Sequence, residues 1–203
     1  NNNENNKYVT HSVFGDKLKG FWISKYELSK DNNIYKSISN VESYRNDTLD
    51  NYQNICRGLN DNYKLGNDVE THRVNNLEWG ATLYLSHSAY GVCEGDGCSN
   101  IGINDTYISG NNKQDTTTRN VYGVYDMSGG ASEYVLGKSL LGSATSEVVL
   151  ESNDTWYNGH GMVSDRDYLI RGGIDRGLFY FGDIGMSTTD YGTRSSIVKL
   201  ADN

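Results

Sequence analysis

The chain has no proline and only three cysteines among its 203 residues. It also lacks any cluster of lysine and arginine, any apolar run of membrane-spanning length and any recognisable signal peptide. Each absence removes a class of function. Phosphate neutralisation needs a basic face, and the net charge is -8, so a nucleic-acid partner is not expected and neither is an anionic membrane surface. No segment is long and apolar enough to predict a membrane span. Three cysteines cannot furnish a four-thiolate zinc site, and His72, His87 and His160 are scattered. Cys93 and Cys98 bracket Glu-Gly-Asp-Gly, a spacing that admits a small disulfide-closed loop or a two-cysteine metal site. Zinc usually takes four protein ligands and no second pair exists, which favours the disulfide and an oxidising compartment. Cys56 falls in a helical pattern and reads as a small buried hydrophobe.

What the chain does have is tyrosine and glycine, 16 and 23 residues respectively. Tyrosine combines apolar area with a polar tip, so it serves both cores and contact surfaces. The excess of asparagine and the missing proline read first as the imprint of AT-rich coding. The length suits one domain, with residues 1–12 a flexible polar lead-in and residues 13–203 the folded unit.

The segment Phe21 to Ser29, FWISKYELS, alternates well enough to predict a strand. Asp50 to Leu59 predicts a first helix, with Asp50 as cap and Tyr52, Ile55, Cys56 and Leu59 on its inner face. Asn75 to His87 predicts a second, with an asparagine cap, Glu78 in the first turn, and Leu77, Ala81, Tyr84 and Leu85 sharing one face. Tyr122 to Met127 reads as a buried strand entering a turn. The stretches from Ser86 to Arg119 and from Gly137 to Arg166 read as loops. Tyr168–Gly173, Gly177–Phe181 and Thr193–Leu200 read as late strands. Asp126, Glu133 and Arg171 are expected to be interior charges that pair with one another beneath the loops.

Residues Asn120 to Val135, NVYGVYDMSGGASEYV, resemble the G-[LV]-Y-D-M-x-G-N-x-x-E-[WY] signature of the formylglycine-generating enzyme (sulfatase-modifying factor) family. Three further segments resemble that family in the same order: FWISKYELS, HRVNNLEWGATLYLS, and LIRGG followed by YGTRSSIV. Together they span residues 21 to 198. The resemblance implies an α+β, C-type-lectin-like fold: a small twisted antiparallel sheet, two helices and extensive loops. The wording LEWGATLYLSHSAYG is similar to a sub-branch found in surface and prepilin-like proteins of low-GC Gram-positive bacteria. That implies an extracellular module, freed of an N-terminal anchor or signal.

The chemistry of the resembled enzymes does not carry over. They use two nearby cysteines in the C-terminal third, with copper, to activate oxygen. Here no cysteine follows Cys98, and thiolate chemistry needs a thiol in place. No Gly-x-Ser-x-Gly elbow, His-Glu-x-x-His pair or phosphate loop occurs, and the acids Glu94 and Asp96 form no constellation. The chain is therefore expected not to be an enzyme. Family members hold structural calcium partly through the Asn and Glu of the signature. Glu133 is retained while the asparagine position is Gly130, so a calcium at Glu133 would need other oxygens. The Glu-Pro-Asn sugar motif cannot occur without proline.

These readings predict a non-enzymatic surface module that binds a cell-surface or host protein or glycan, or is presented on a pilus-like fibre. A structural filament subunit, whose partners are its own neighbours, is the alternative. The expected contact face is Asp175, Arg176, Phe179, Tyr180, Asp183, Thr189, Asp190 and Tyr191, rich in rigid aromatics and small polar groups. Three sequons, at Asn46, Asn104 and Asn153, bear on function only in a eukaryotic secretory pathway.

Overall fold

The computed structural model describes residues 20–92, 104–135, 169–174, 181–183 and 190–199. The expectations for residues 1–12, for Cys93 and Cys98, and for the whole loop from 137 to 166 fall outside that set. The fold is mixed α+β, with small, largely antiparallel sheets and few helices.

The chain enters through β1 (Trp22–Ile23), β2 (Leu28–Asp31), β3 (Ile34–Ser37) and β4 (Val41–Glu42). The single strand expected from Phe21 to Ser29 is thus two short ones belonging to different sheets. A bend at Lys25 and Tyr26 separates the two. The chain bends there but stays beside the same partner: Ser24 N–H donates to Ser195 C=O at 2.9 Å and Leu28 N–H to Thr193 C=O at 2.8 Å.

Helix α1 runs from Leu49 to Tyr63. Thr48, not Asp50, is its cap, its hydroxyl accepting from Asn51 N–H at 3.2 Å. Gly58 does not end the helix. Termination comes at Lys64, in the left-handed region with φ 54°, whose N–H bonds back to Asn60 and Asp61 carbonyls. The buried stripe is Tyr52, Gln53, Cys56 and Leu59. Cys56 is indeed a buried hydrophobe, and burial pushes its thiol up to about 12, which makes it inert.

Strand β5 (Val69–Arg73) follows, packed on α1 through Thr71, whose hydroxyl donates to Arg57 C=O at 2.8 Å. Helix α2 (Asn76–Leu83) is shorter than expected and tightens into a 3-10 turn, Tyr84–His87. Its start is as predicted and doubly tied: Glu78 N–H donates to Asn75 Oδ1 at 2.8 Å, and Asn75 N–H to Glu78 Oε2 at 3.0 Å. That reciprocal pair satisfies two donors that a helix start would otherwise leave open. Then come β6 (Ile108–Ser109), a 3-10 turn at Lys113–Asp115, β7 (Gly129–Val135), β8 (Leu169–Gly173), β9 (Phe181–Asp183), β10 (Tyr191–Gly192) and β11 (Ser195–Lys199). The strand expected over Tyr122–Met127 is irregular chain, and the strand lies one turn later in β7, every residue of which is buried.

Two sheets carry the architecture. One has the order β1-β11-β5, so a late strand sits between two early ones; the other has the order β10-β7-β8-β9, with β10 parallel to β7. Two-stranded ribbons β2-β3 and β4-β6 complete the described strands. One apolar cluster holds Val74, Trp79, Val92, Val124, Met127 and Val135, with Ile23 at its margin. A second is built largely of tyrosines. Ring centroids step from Tyr35 to Tyr44 (5.0 Å), Tyr52 (5.9 Å), Tyr134 (6.0 Å) and Tyr191 (5.0 Å), mostly edge to face. That is the geometry aromatic quadrupoles favour. Tyr52 resolves its polar tip by donating to Tyr191 C=O at 2.8 Å. This is where much of the excess tyrosine goes.

Candidate functional site

Between the two sheets lies a buried charged frame. β7 supplies Glu133, fully buried, and the turn into β11 supplies Arg194, also fully buried. Arg194 Nε donates to Glu133 Oε1 at 2.5 Å, and Trp79 Nε1 donates to Glu133 Oε2 at 2.5 Å. The other guanidinium nitrogens reach Ser24 C=O (3.2 Å) and Tyr125 C=O (2.8 Å). The Arg194–Glu133 pair thereby joins β7, α2, the residue after β1 and the turn at Tyr125. Such a pair holds because each remaining hydrogen-bonding group is satisfied.

Two more acids press on the same region. Glu27 accepts from Ala131 N–H at 3.0 Å and from the Ser43 hydroxyl. Asp126, held at φ 58°, accepts from Asn104 Nδ2 at 3.0 Å and from the Ser109 hydroxyl. Both meet at Gly130, where a Cβ would lie 2.5 Å from Glu27 Oε1 and 3.1 Å from Asp126 Cβ. The residue departing from the signature is therefore glycine because Glu27 fills the space a side chain would need. Burial raises the pKa of Glu27, Asp126 and Glu133 alike. For Glu27 the charges of Asp126 and Glu133 add to it, and Arg194 opposes it. Three buried carboxyl groups thus share this region with the buried guanidinium of Arg194.

The expected trio of Asp126, Glu133 and Arg171 is re-partnered. Arg171 stands opposite Glu133 in the β7/β8 register and is buried, its guanidinium 5.0 Å from the Trp79 ring. The salt bridge to Glu133 belongs to Arg194, which sequence reasoning missed. A calcium at Glu133 does not fit these residues. Both carboxylate oxygens already take donors, one from a cation, and Gly130 offers no side-chain oxygen. Among the described residues no group of three or more His, Cys, Asp or Glu side chains is arranged to hold a metal ion.

Of the expected contact face, Asp175, Arg176, Phe179, Tyr180 and Thr189 lie outside the described residues, and Asp183 closes β9. Tyr191 is a correction: it is 4% exposed at the end of the tyrosine file, so its ring is core, not contact surface. Asp190 is at the surface. It accepts from Tyr107 Oη at 2.8 Å, and the Arg45 guanidinium lies 3.5 Å from the centre of the Tyr107 ring. Asn46 is exposed, whereas Asn104 is buried with its amide committed to Asp126.

The exposed aromatics lie elsewhere. Tyr122 is 89% and Tyr90 84% exposed. The turn bearing Tyr122 is tightly held: Asn120 Oδ1 accepts from Tyr122 N–H and from the Thr118 hydroxyl, both at 2.9 Å, and Thr117 N–H bonds to Val124 C=O at 3.0 Å. Lys25 closes its base, donating to Val121 C=O with its ammonium over the Tyr26 and Tyr125 rings. Val92 N–H donates to Thr117 C=O at 3.1 Å, tying in the loop that carries Tyr90. The available sequence signal was the Thr-Thr-Thr-Arg-Asn run before Val121, whose side chains build turns.

Fold and frame together define a mixed α+β domain whose two sheets are clamped by a buried ion pair and whose aromatic residues reach solvent from pinned loops. No family model matches the chain, and no curated protein matches it.

Proposed function

We propose that this chain is a non-enzymatic extracellular module on a C-type-lectin-like scaffold, which binds a cell-surface or host protein or glycan through its loops. One observation carries the reading. The described groups best suited to acid–base chemistry, Glu27, His72, Glu78, Asp126, Glu133 and Arg194, are buried and committed to internal bonds, while Tyr90 and Tyr122 stand outward on pinned turns. A rigid aromatic presented at low entropy loss is how contact surfaces gain affinity. The resemblance to surface proteins and the rim formed by Asp190, Tyr107 and Arg45 point the same way.

The test is binding of the chain, and of Tyr122→Ala and Tyr90→Ala, to a glycan array and to immobilised extracellular proteins. A hot-spot tyrosine lowers affinity about 30-fold when truncated, and the variants' melting temperatures should stay near that of the parent. Self-assembly in size-exclusion chromatography without any ligand would favour a filament subunit instead. Aldehyde formation on a cysteine-containing sulfatase peptide in the presence of copper would overturn the reading.

A further inference from the structure

His72 and Ser196 face each other across the β5/β11 ladder, on the same side of the sheet. They are 6% and 0% exposed. His72 Nε2 is fully used, 3.0 and 3.1 Å from the two oxygens of Glu78. His72 Nδ1 and Ser196 Oγ are both buried without a hydrogen-bond partner among the described residues. Both atoms stand at one register position, and leaving either unpaired costs about 1–3 kcal/mol.

The ladder explains why they do not bond directly. Val74 N–H donates to Arg194 C=O at 3.0 Å, which makes that pair a hydrogen-bonded one. Two residues further along each strand, His72 and Ser196 are then also of the hydrogen-bonded type, with Cα atoms about 5.5 Å apart rather than about 4.5 Å. The wider spacing separates the two side chains. We propose that one buried water bridges His72 Nδ1 and Ser196 Oγ, completing a chain Glu78–His72–water–Ser196 that ties the N-cap of α2 to β11.

The chemistry suits water in either protonation state. Burial pushes the imidazole down, but the Glu78 charge and hydrogen bond prevail and its pKa is raised; Glu70 adds to this and Arg57 opposes it. As imidazolium, Nδ1–H donates to the water, and the water donates on to Oγ. As neutral imidazole with the proton on Nε2, Nδ1 accepts, and the water accepts from the serine hydroxyl. Water and hydroxyl can each reverse their role, which a direct methyl or carbonyl neighbour could not. Ile23 stands opposite Ser196 in the β1/β11 register and packs at the margin of the cluster that holds Val74 and Trp79, so apolar side chains close one side of the position.

A crystal structure of the chain at a resolution that places ordered waters tests this directly. The expected result is a density peak within about 3.2 Å of both atoms. A direct Nδ1–Oγ bond, or no peak, overturns the proposal. Oxygen-17 relaxation dispersion gives a second readout in solution. Ser196→Val, which fills the gap with a methyl, should show one fewer long-lived water than the parent; an unchanged count overturns the assignment. Should Ser196→Val fail to fold, Ser196→Ala removes one anchor and should shorten that water's residence measurably, and an unchanged residence again overturns it.

Discussion

Replacing Glu27 by glutamine removes a titrating group from the centre of the frame while keeping its shape. Glu27 is fully buried and bonded to Ala131 N–H and the Ser43 hydroxyl; among the described residues no cation hydrogen-bonds to it. Its folded pKa lies well above the ordinary 4.5, because of burial and then the charges of Asp126 and Glu133. The sign follows from proton counting. Between the unfolded and folded values the native state holds the proton and the unfolded state has lost it. Stability is therefore greatest below 4.5 and falls as pH rises through that window. The slope is about 1.4 kcal/mol per pH unit for one proton. Glu27→Gln should abolish this slope. Its amide oxygen can accept from Ala131 and its NH2 can donate to Ser43, so at pH 4 variant and parent should have similar stability. Above the window the variant should be the more stable, by the integral of the lost slope. Losing the Glu27 charge should also ease ionisation of Asp126 and Glu133. Urea midpoints followed by tyrosine and tryptophan fluorescence from pH 4 to pH 9 measure the difference. Parallel curves for the two proteins would refute the reasoning, and so would a variant less stable than the parent at pH 8.

Glu133→Gln leaves Arg194 buried without its counter-ion and should destabilise by about 3–5 kcal/mol in urea denaturation, far more than Glu27→Gln at any pH. Gly130→Ala forces a Cβ to within 2.5 Å of Glu27 Oε1 at a φ of 64°, and a loss of roughly 2–4 kcal/mol is expected. Combining it with Glu27→Ala should recover part of that loss, as the double-mutant cycle would show. Thr48→Ala removes the acceptor for Asn51 N–H at the start of α1 and should cost about 1 kcal/mol, visible as a lower melting temperature; Asp50→Ala, which removes no cap, should cost less.

The parts of this architecture legible in the sequence are those whose interactions are local. Asn75 and Glu78 are three residues apart and cap α2 by themselves. The inner face of α1 follows from helical spacing, apart from Gln53, a polar residue that the spacing did not suggest. β5 escaped notice because Thr71, His72 and Arg73 are all buried and all polar, so hydropathy carries no trace of the strand. Glu27 was hidden for the same reason, inside a segment that alternates like an ordinary strand. The partner of Glu133 could not be read at all. Arg171 and Arg194 are equally plausible in sequence, and only the path of the chain into β11 brings Arg194 against the carboxylate. Tyr191 was misplaced because tyrosine is equally at home in a core and on a contact surface; the neighbouring Tyr134 ring decides it.

The position of β11 between β1 and β5 has a consequence for how the protein comes into being. Trp22 pairs with Ile197 and His72 with Ser196, so neither early strand has its neighbour until the late one is made. Arg194, which bridges to Glu133, arrives with that same late segment. During synthesis, β1 and β5 must therefore wait with unpaired edges, and Glu133 without the Arg194 guanidinium. A chain halted before residue 194 would leave β1 and β5 without their shared partner and open to proteases and chaperones. Closure should come as one late, cooperative event.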